Sequence, residues 1–227
     1  MLILNQEWMY IHIPRTSGDN FRTCVINSTT DYENYSTAPK ITSEMRDCFW
    51  KGKNEVSIVA NHQFLGSSTT IDYDQTRHAF LSVWQECNVW NNHKVFTIVR
   101  NPYSLLVSGY NHICSMLGQN MTLDEFLIGD HPILKDISTN FPFNEKTKQV
   151  DYLRDIDGNI KVDRFYKMET DISQLAFDFG LVGISDNYEN KSSDYSEIYT
   201  DNSIEYVKQT FKDDFEYFGY DTNPFWV

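Results

Sequence analysis

The sequence predicts an α/β fold in three layers, with a mainly parallel central sheet flanked by helices. Three observations carry that expectation. Trp8-Met9-Tyr10-Ile11-His12-Ile13 is a short apolar, β-prone run that breaks at Pro14 into a polar loop containing glycine, as a buried strand and its exit do. Lys94-Val95-Phe96-Thr97-Ile98-Val99 repeats the pattern. A stretch with helical spacing follows each of them, and strand, loop and helix in alternation build parallel sheets.

Taken in order, Phe21, Val25 and Ile26 recur at about helical spacing, which places Thr16 to Asn20 at a helix N-terminus. Residues 29–53 are polar with scattered aromatics and read as loops around one short helix at most. Glu55-Val56-Ser57-Ile58-Val59-Ala60 reads as the second core strand, followed by Asn61-His62-Gln63-Phe64. From Asp72 to about Asn91 a helix is expected, with Phe80, Leu81, Trp84 and Cys87 on its apolar side. After the 94–100 strand, Asn101 reads as an N-cap and Pro102 as the first residue of a helix. Met121 to Leu127 is a short helix entered at Thr122, and residues 128–147, with Pro132 and Pro142, are irregular. A helix over Thr170 to Phe179 buries Ile172, Leu175, Ala176 and Phe179. A final helix starts near its N-cap Thr200 and aligns Ile204, Val207, Phe211, Phe215 and Phe218 on one face, leaving an acidic outer face to solvent.

Length and composition bound the function. At 227 residues and 41% hydrophobic content, the chain reads as a single domain, 1–227, around one sizeable core. A net charge of -13 argues against a general binder of nucleic acid or of acidic membranes, and makes long polyanionic acceptors harder to hold unless a local basic cleft exists. Cys24, Cys48, Cys87 and Cys114 lack CxxC spacing and read as reduced thiols. No basic leader or long apolar stretch precedes the first strand, so a cytoplasmic location with no membrane segment is expected. No pair of histidines has the spacing or the carboxylate company of a metal site, and no metal is expected.

Arg15 and Arg100 stand at the carboxyl ends of two strands, where open α/β sheets bind ligands. Helix-start N–H groups over Thr16, Ser17, Gly18, Asp19 and Asn20, with the dipole and the Arg15 guanidinium, suit an anion such as a phosphate. One strand-loop-helix with an arginine is common in proteins that bind nothing there. Two of them in one sheet are explained by one ligand with two anionic groups.

At these residues the chain resembles the PAPS-dependent sulfotransferases, in particular the family that includes heparan 2-O- and chondroitin 4-O-sulfotransferases. Ile13-Pro14-Arg15-Thr16-Ser17-Gly18 is similar to that family's 5′-phosphosulfate loop. Ile98-Val99-Arg100-Asn101-Pro102-Tyr103, through Ser108 and Tyr110, is similar to its 3′-phosphate motif. Asn190-Lys191-Ser192, Tyr199-Thr200 and Asp214 to Tyr220 resemble its closing segment in order and spacing, so the likeness spans nearly the whole chain. Gln149 to Leu153, the turn Asp157-Gly158-Asn159, and Lys161 to Tyr166 resemble the segment leading to the family's last core strand, with Glu169 in its acidic position as a structural partner of a backbone or an arginine.

The resemblance implies a P-loop-like fold and transfer of the sulfuryl group from PAPS to the hydroxyl of a carbohydrate or another hydroxyl-bearing acceptor, releasing PAP. It makes His62 the general base, since the family's base follows a strand and precedes an aromatic; a histidine that only caps a strand would read the same way. An imidazole with an ordinary pKa of about 6.5 accepts a hydroxyl proton near neutrality. Arg15 and the loop N–H groups would hold the 5′-phosphate side, Arg100 and Ser108 the 3′-phosphate, and Lys191-Ser192 would close over the nucleotide. Two departures stand out: Arg15 replaces the usual Lys, as in tyrosylprotein sulfotransferases, and Asp19 replaces a usual Thr, so its carboxylate must turn from the phosphate or weaken binding. Two other readings remain: a non-catalytic nucleotide-binding module of the same fold, and a P-loop kinase, which the lack of any G-x-x-x-x-G-K-[ST] disfavours.

Overall fold

The structure, a computed structural model, describes residues 2–4, 8–18, 20–21, 24–25, 80–86, 93–118, 120–129, 147–182 and 195–226. Its centre is a sheet of β1 (Leu2–Leu4), β2 (Trp8–Ile11), β3 (Lys94–Val99) and β4 (Arg164–Lys167), hydrogen-bonded in that order. β2, β3 and β4 run parallel, with Tyr10 beside Phe96 and Phe96 beside Arg164, while β1 adds an antiparallel edge. The expected α/β fold with a mainly parallel sheet is present. β1 was not expected: three residues are too few to show a period, and pairing with β2 rather than intrinsic pattern makes them a strand. The strand expected over Glu55 to Ala60 lies outside the described residues.

Strand alternation divides the core. Met9, Ile11, Val95 and Val99 point to one side, where Leu81, Trp84, Val150, Leu153 and Phe218 cover them. Tyr10, Phe96 and Ile98 point to the other, against Phe21, Val25, Ile172 and Leu175. Both faces of the central strands are therefore dry, as parallel sheets require. In the interior of β3, the Thr97 hydroxyl is satisfied by donating to the Ile11 carbonyl at 2.8 Å.

The helices are set by their ends. α1 (Leu81–Glu86) is the described part of the helix expected over Asp72 to Asn91. α2 (Pro102–Leu117) begins as the sequence predicts, with the Asn101 side chain accepting the Tyr103 N–H and Pro102 in the first turn, and closes on left-handed Gly118. α3 (Leu123–Leu127) opens with a capping box of Thr122 and Glu125. A 3-10 turn, Gln149–Leu153, precedes β4, and α4 (Ile172–Phe179) follows it, burying Ile172 and Leu175. Ala176 and Phe179, expected in the core, are half-buried.

The last expected helix is two. After α5 (Tyr195–Ile198), α6 (Asp201–Thr210) starts at its expected cap, Thr200, and stops at Phe211, whose φ of -102° and ψ of 20° break the line before α7 (Lys212–Phe218). Val207, Phe211, Phe215 and Phe218 are all buried, as expected. The break also turns Asp214 inward onto the 3-10 turn, so the acidic face is not wholly solvated. Among the described residues, no helix is long and apolar enough to cross a membrane.

Candidate functional site

Because β2 and β3 are adjacent and parallel, the chain leaves both at the same end of the strands. Beyond β2 the loop is tightly bent. Arg15 and Ser17 hold positive φ, 64° and 68°, on either side of Thr16. Thr16 is buried between them, and its hydroxyl donates to the Ile13 carbonyl at 2.8 Å. Gly18 comes next because nothing larger fits: a Cβ there would lie 1.9 Å from His12 Nε2. The Ser17 carbonyl accepts the Phe21 N–H at 3.0 Å, so Ser17 is the N-cap of the helical stretch.

Arg15 is exposed and its Nε donates to Ser108 Oγ, on α2, at 3.2 Å. Arg100, from the end of β3, reaches the same loop: its Nη1 donates to the Arg15 carbonyl at 3.2 Å and its Nε to Ser104 Oγ at 2.9 Å. Burial pulls the Arg100 pKa down, as does neighbouring Arg15, while Tyr195 and Glu169 oppose the shift. Tyr195, hydrogen-bonded to Arg100, is itself raised by burial against the pull of that guanidinium. An arginine nevertheless stays cationic under these conditions.

The backbone beneath Arg100 is unusually well held. Gln149, fully buried, accepts the Arg100 N–H on Oε1 and donates from Nε2 to the Arg100 carbonyl, both at 2.8 Å. The next amide, of Asn101, donates to Glu169 Oε1 at 2.8 Å, and Glu169 Oε2 accepts the Tyr220 hydroxyl at 2.9 Å. Glu169 thus pairs with a backbone group, as the sequence reading has it. Behind Gln149 lies Asp214, fully buried, whose two oxygens accept the N–H groups of Gln149 and Val150, each at 2.9 Å. Burial pushes the Asp214 pKa up to about 6, against the pull of those amides.

The chain matches no protein-family model, no curated protein and no solved structure. What bears on function is the geometry. Arg15, Thr16, Ser17, Gly18, Arg100 and Ser108 come together beyond the carboxyl ends of β2 and β3, with Asn20 exposed. Thr16 is available there only through its main chain, since its hydroxyl is engaged inward. Asp19, His62, Lys191 and Ser192 lie outside the described residues. Ser104, Gln149, Tyr195 and Asp214 were not singled out for the site from sequence. Ser104, one helical turn after Arg100, was findable from spacing; the others are brought in by tertiary contacts.

Two guanidinium groups, a serine hydroxyl and a helix start can hold a ligand with two anionic groups. Among the described residues no group of three or more His, Cys, Asp or Glu side chains is placed to hold a metal ion.

Proposed function

We propose that this protein is a PAPS-dependent O-sulfotransferase that moves the sulfuryl group to a carbohydrate hydroxyl. The observation that supports the reading is the meeting of Arg15 and Arg100 at the ends of adjacent parallel strands, joined through the Arg15 carbonyl and flanked by Ser108. Arg15 and the amides after Ser17 would grip the 5′-phosphate, where negative charge collects as the leaving group departs in line. Arg100 and Ser108 would hold the 3′-phosphate. His62 would take the acceptor proton, and Lys191 and Ser192 would cover the nucleotide. PAP is the product, and no step in this scheme calls on a metal.

A second reading, a nucleotide-binding module without catalysis, is favoured by one feature: the Arg100 guanidinium is already engaged by Ser104, the Arg15 carbonyl and Tyr195. Incubation with labelled PAPS and a panel of glycans separates the two. Wild-type chain is expected to transfer label, and His62→Ala to keep PAP binding while losing about 10²–10⁴-fold in rate. Arg15→Ala and Arg100→Ala should weaken PAP binding itself. Binding of PAP with no transfer to any acceptor would favour the module, and phosphoryl transfer from ATP without PAPS affinity would favour a kinase.

A further inference from the structure

We propose that Gln149 is a positioning residue for 3′-phosphate selectivity, acting through Arg100; this rests on the sulfotransferase reading. Arg100 sits where β3 has ended and α2 has not begun, so its own N–H and C=O have left the strand ladder. One side chain supplies both missing partners. The Gln149 amide, with an acceptor on one atom and a donor on the other, closes on the Arg100 peptide groups at 2.8 Å each. Such a two-point clamp fixes translation and rotation of the arginine's Cα together.

The clamp is itself fixed. Gln149 is fully buried, its main-chain N–H is bound by Asp214 at 2.9 Å, and its Nε2 lies 3.5 Å from the same carboxylate oxygen. Glu169, from the segment after β4, secures the next amide. Arg100 is thereby aimed by groups from the 3-10 turn, α7 and the segment after β4, whereas Arg15 is exposed and its described side-chain bond is to Ser108. Loosening Gln149 therefore acts first on the anion that Arg100 takes, and reaches the one that Arg15 takes only through the single bond from Arg100 Nη1 to the Arg15 carbonyl. For a nucleotide with phosphates at both ends, that is a change in selectivity rather than in overall affinity.

Calorimetric titration with PAP and with adenosine 5′-phosphate, which lacks the 3′-phosphate, reads this directly. Gln149→Met keeps length and approximate volume but removes both bonds to Arg100. It is expected to lower the ratio of PAP to adenosine 5′-phosphate affinity about tenfold, in the direction of Arg100→Ala, with adenosine 5′-phosphate affinity little changed. A general loss of stability would lower both affinities together. A folded Gln149→Met chain with the wild-type ratio overturns the proposal. Should that variant not fold, amide exchange in the wild-type chain decides: the Arg100 N–H is expected to exchange no faster than that of Leu105, which bonds the Asn101 carbonyl in the first turn of α2. An Arg100 amide exchanging at an unprotected rate overturns it equally. Wild-type chain that binds neither nucleotide defeats the sulfotransferase reading instead, a result distinct from either of these.

Discussion

Burial and hydrogen bonding act in opposite senses on Asp214, and burial wins: the carboxyl pKa rises from 3.8 to about 6 despite two backbone amides that favour the anion. A folded-state pKa above the unfolded one means that the native chain binds this proton more tightly. The stabilisation from Asp214 is therefore complete below pH 3.8 and is lost as the pH rises through about 6. Asp214→Asn removes that slope, so the unfolding free energy of wild type minus variant should fall by up to about 3 kcal/mol between pH 4 and 7. Urea midpoints across that range check it, and a difference that grows with pH would contradict it. Gly18 carries a second single-residue expectation. Gly18→Ala drives a methyl group to within 1.9 Å of His12 Nε2 and should cost about 1–3 kcal/mol or more, part of which His12→Ala restores in the double variant. Neither effect is visible in sequence, since one acidic residue in an acidic helix looks like any other.

Helix ends were the most legible elements because their chemistry is local. Asn101 followed by Pro102, Thr122, and Thr200 each announced a start that the structure has. Thr200 does more than cap α6: its hydroxyl accepts the Ser203 N–H at 3.2 Å and also reaches both oxygens of Asp124, on α3, at 2.9 and 2.8 Å. Thr200→Ala should cost about 1–2 kcal/mol, measured as a lower urea midpoint at unchanged slope. The break at Phe211 was not legible, because the apolar spacing of three and four continues straight through it. Just past the break, Asp214 is turned inward onto residues 64 and 65 positions earlier in the chain. Local pattern carries no record of a partner that distant.

For the molecule as a whole, the parallel sheet and the two arginines at its strand ends could be read from the chain, since strand, loop and helix repeated with an arginine in the same place. The clamp behind them could not, because Gln149 lies 49 positions from Arg100. A ligand held by elements this far apart should stabilise the entire fold. PAP at about 100 times its dissociation constant is expected to add about 2.7 kcal/mol to the unfolding free energy. Thermal unfolding with and without PAP measures this as a rise in Tm that Arg15→Ala and Arg100→Ala reduce or abolish. The left-handed backbone at Arg15 and Ser17 opposes such stability, since glycine adopts those φ values without the penalty of about 1–2 kcal/mol that an L side chain incurs. Laboratory evolution for heat endurance alone should thus enrich glycine at both positions. The survivors would be hardier chains, stripped of the guanidinium that the proposed nucleotide site calls on.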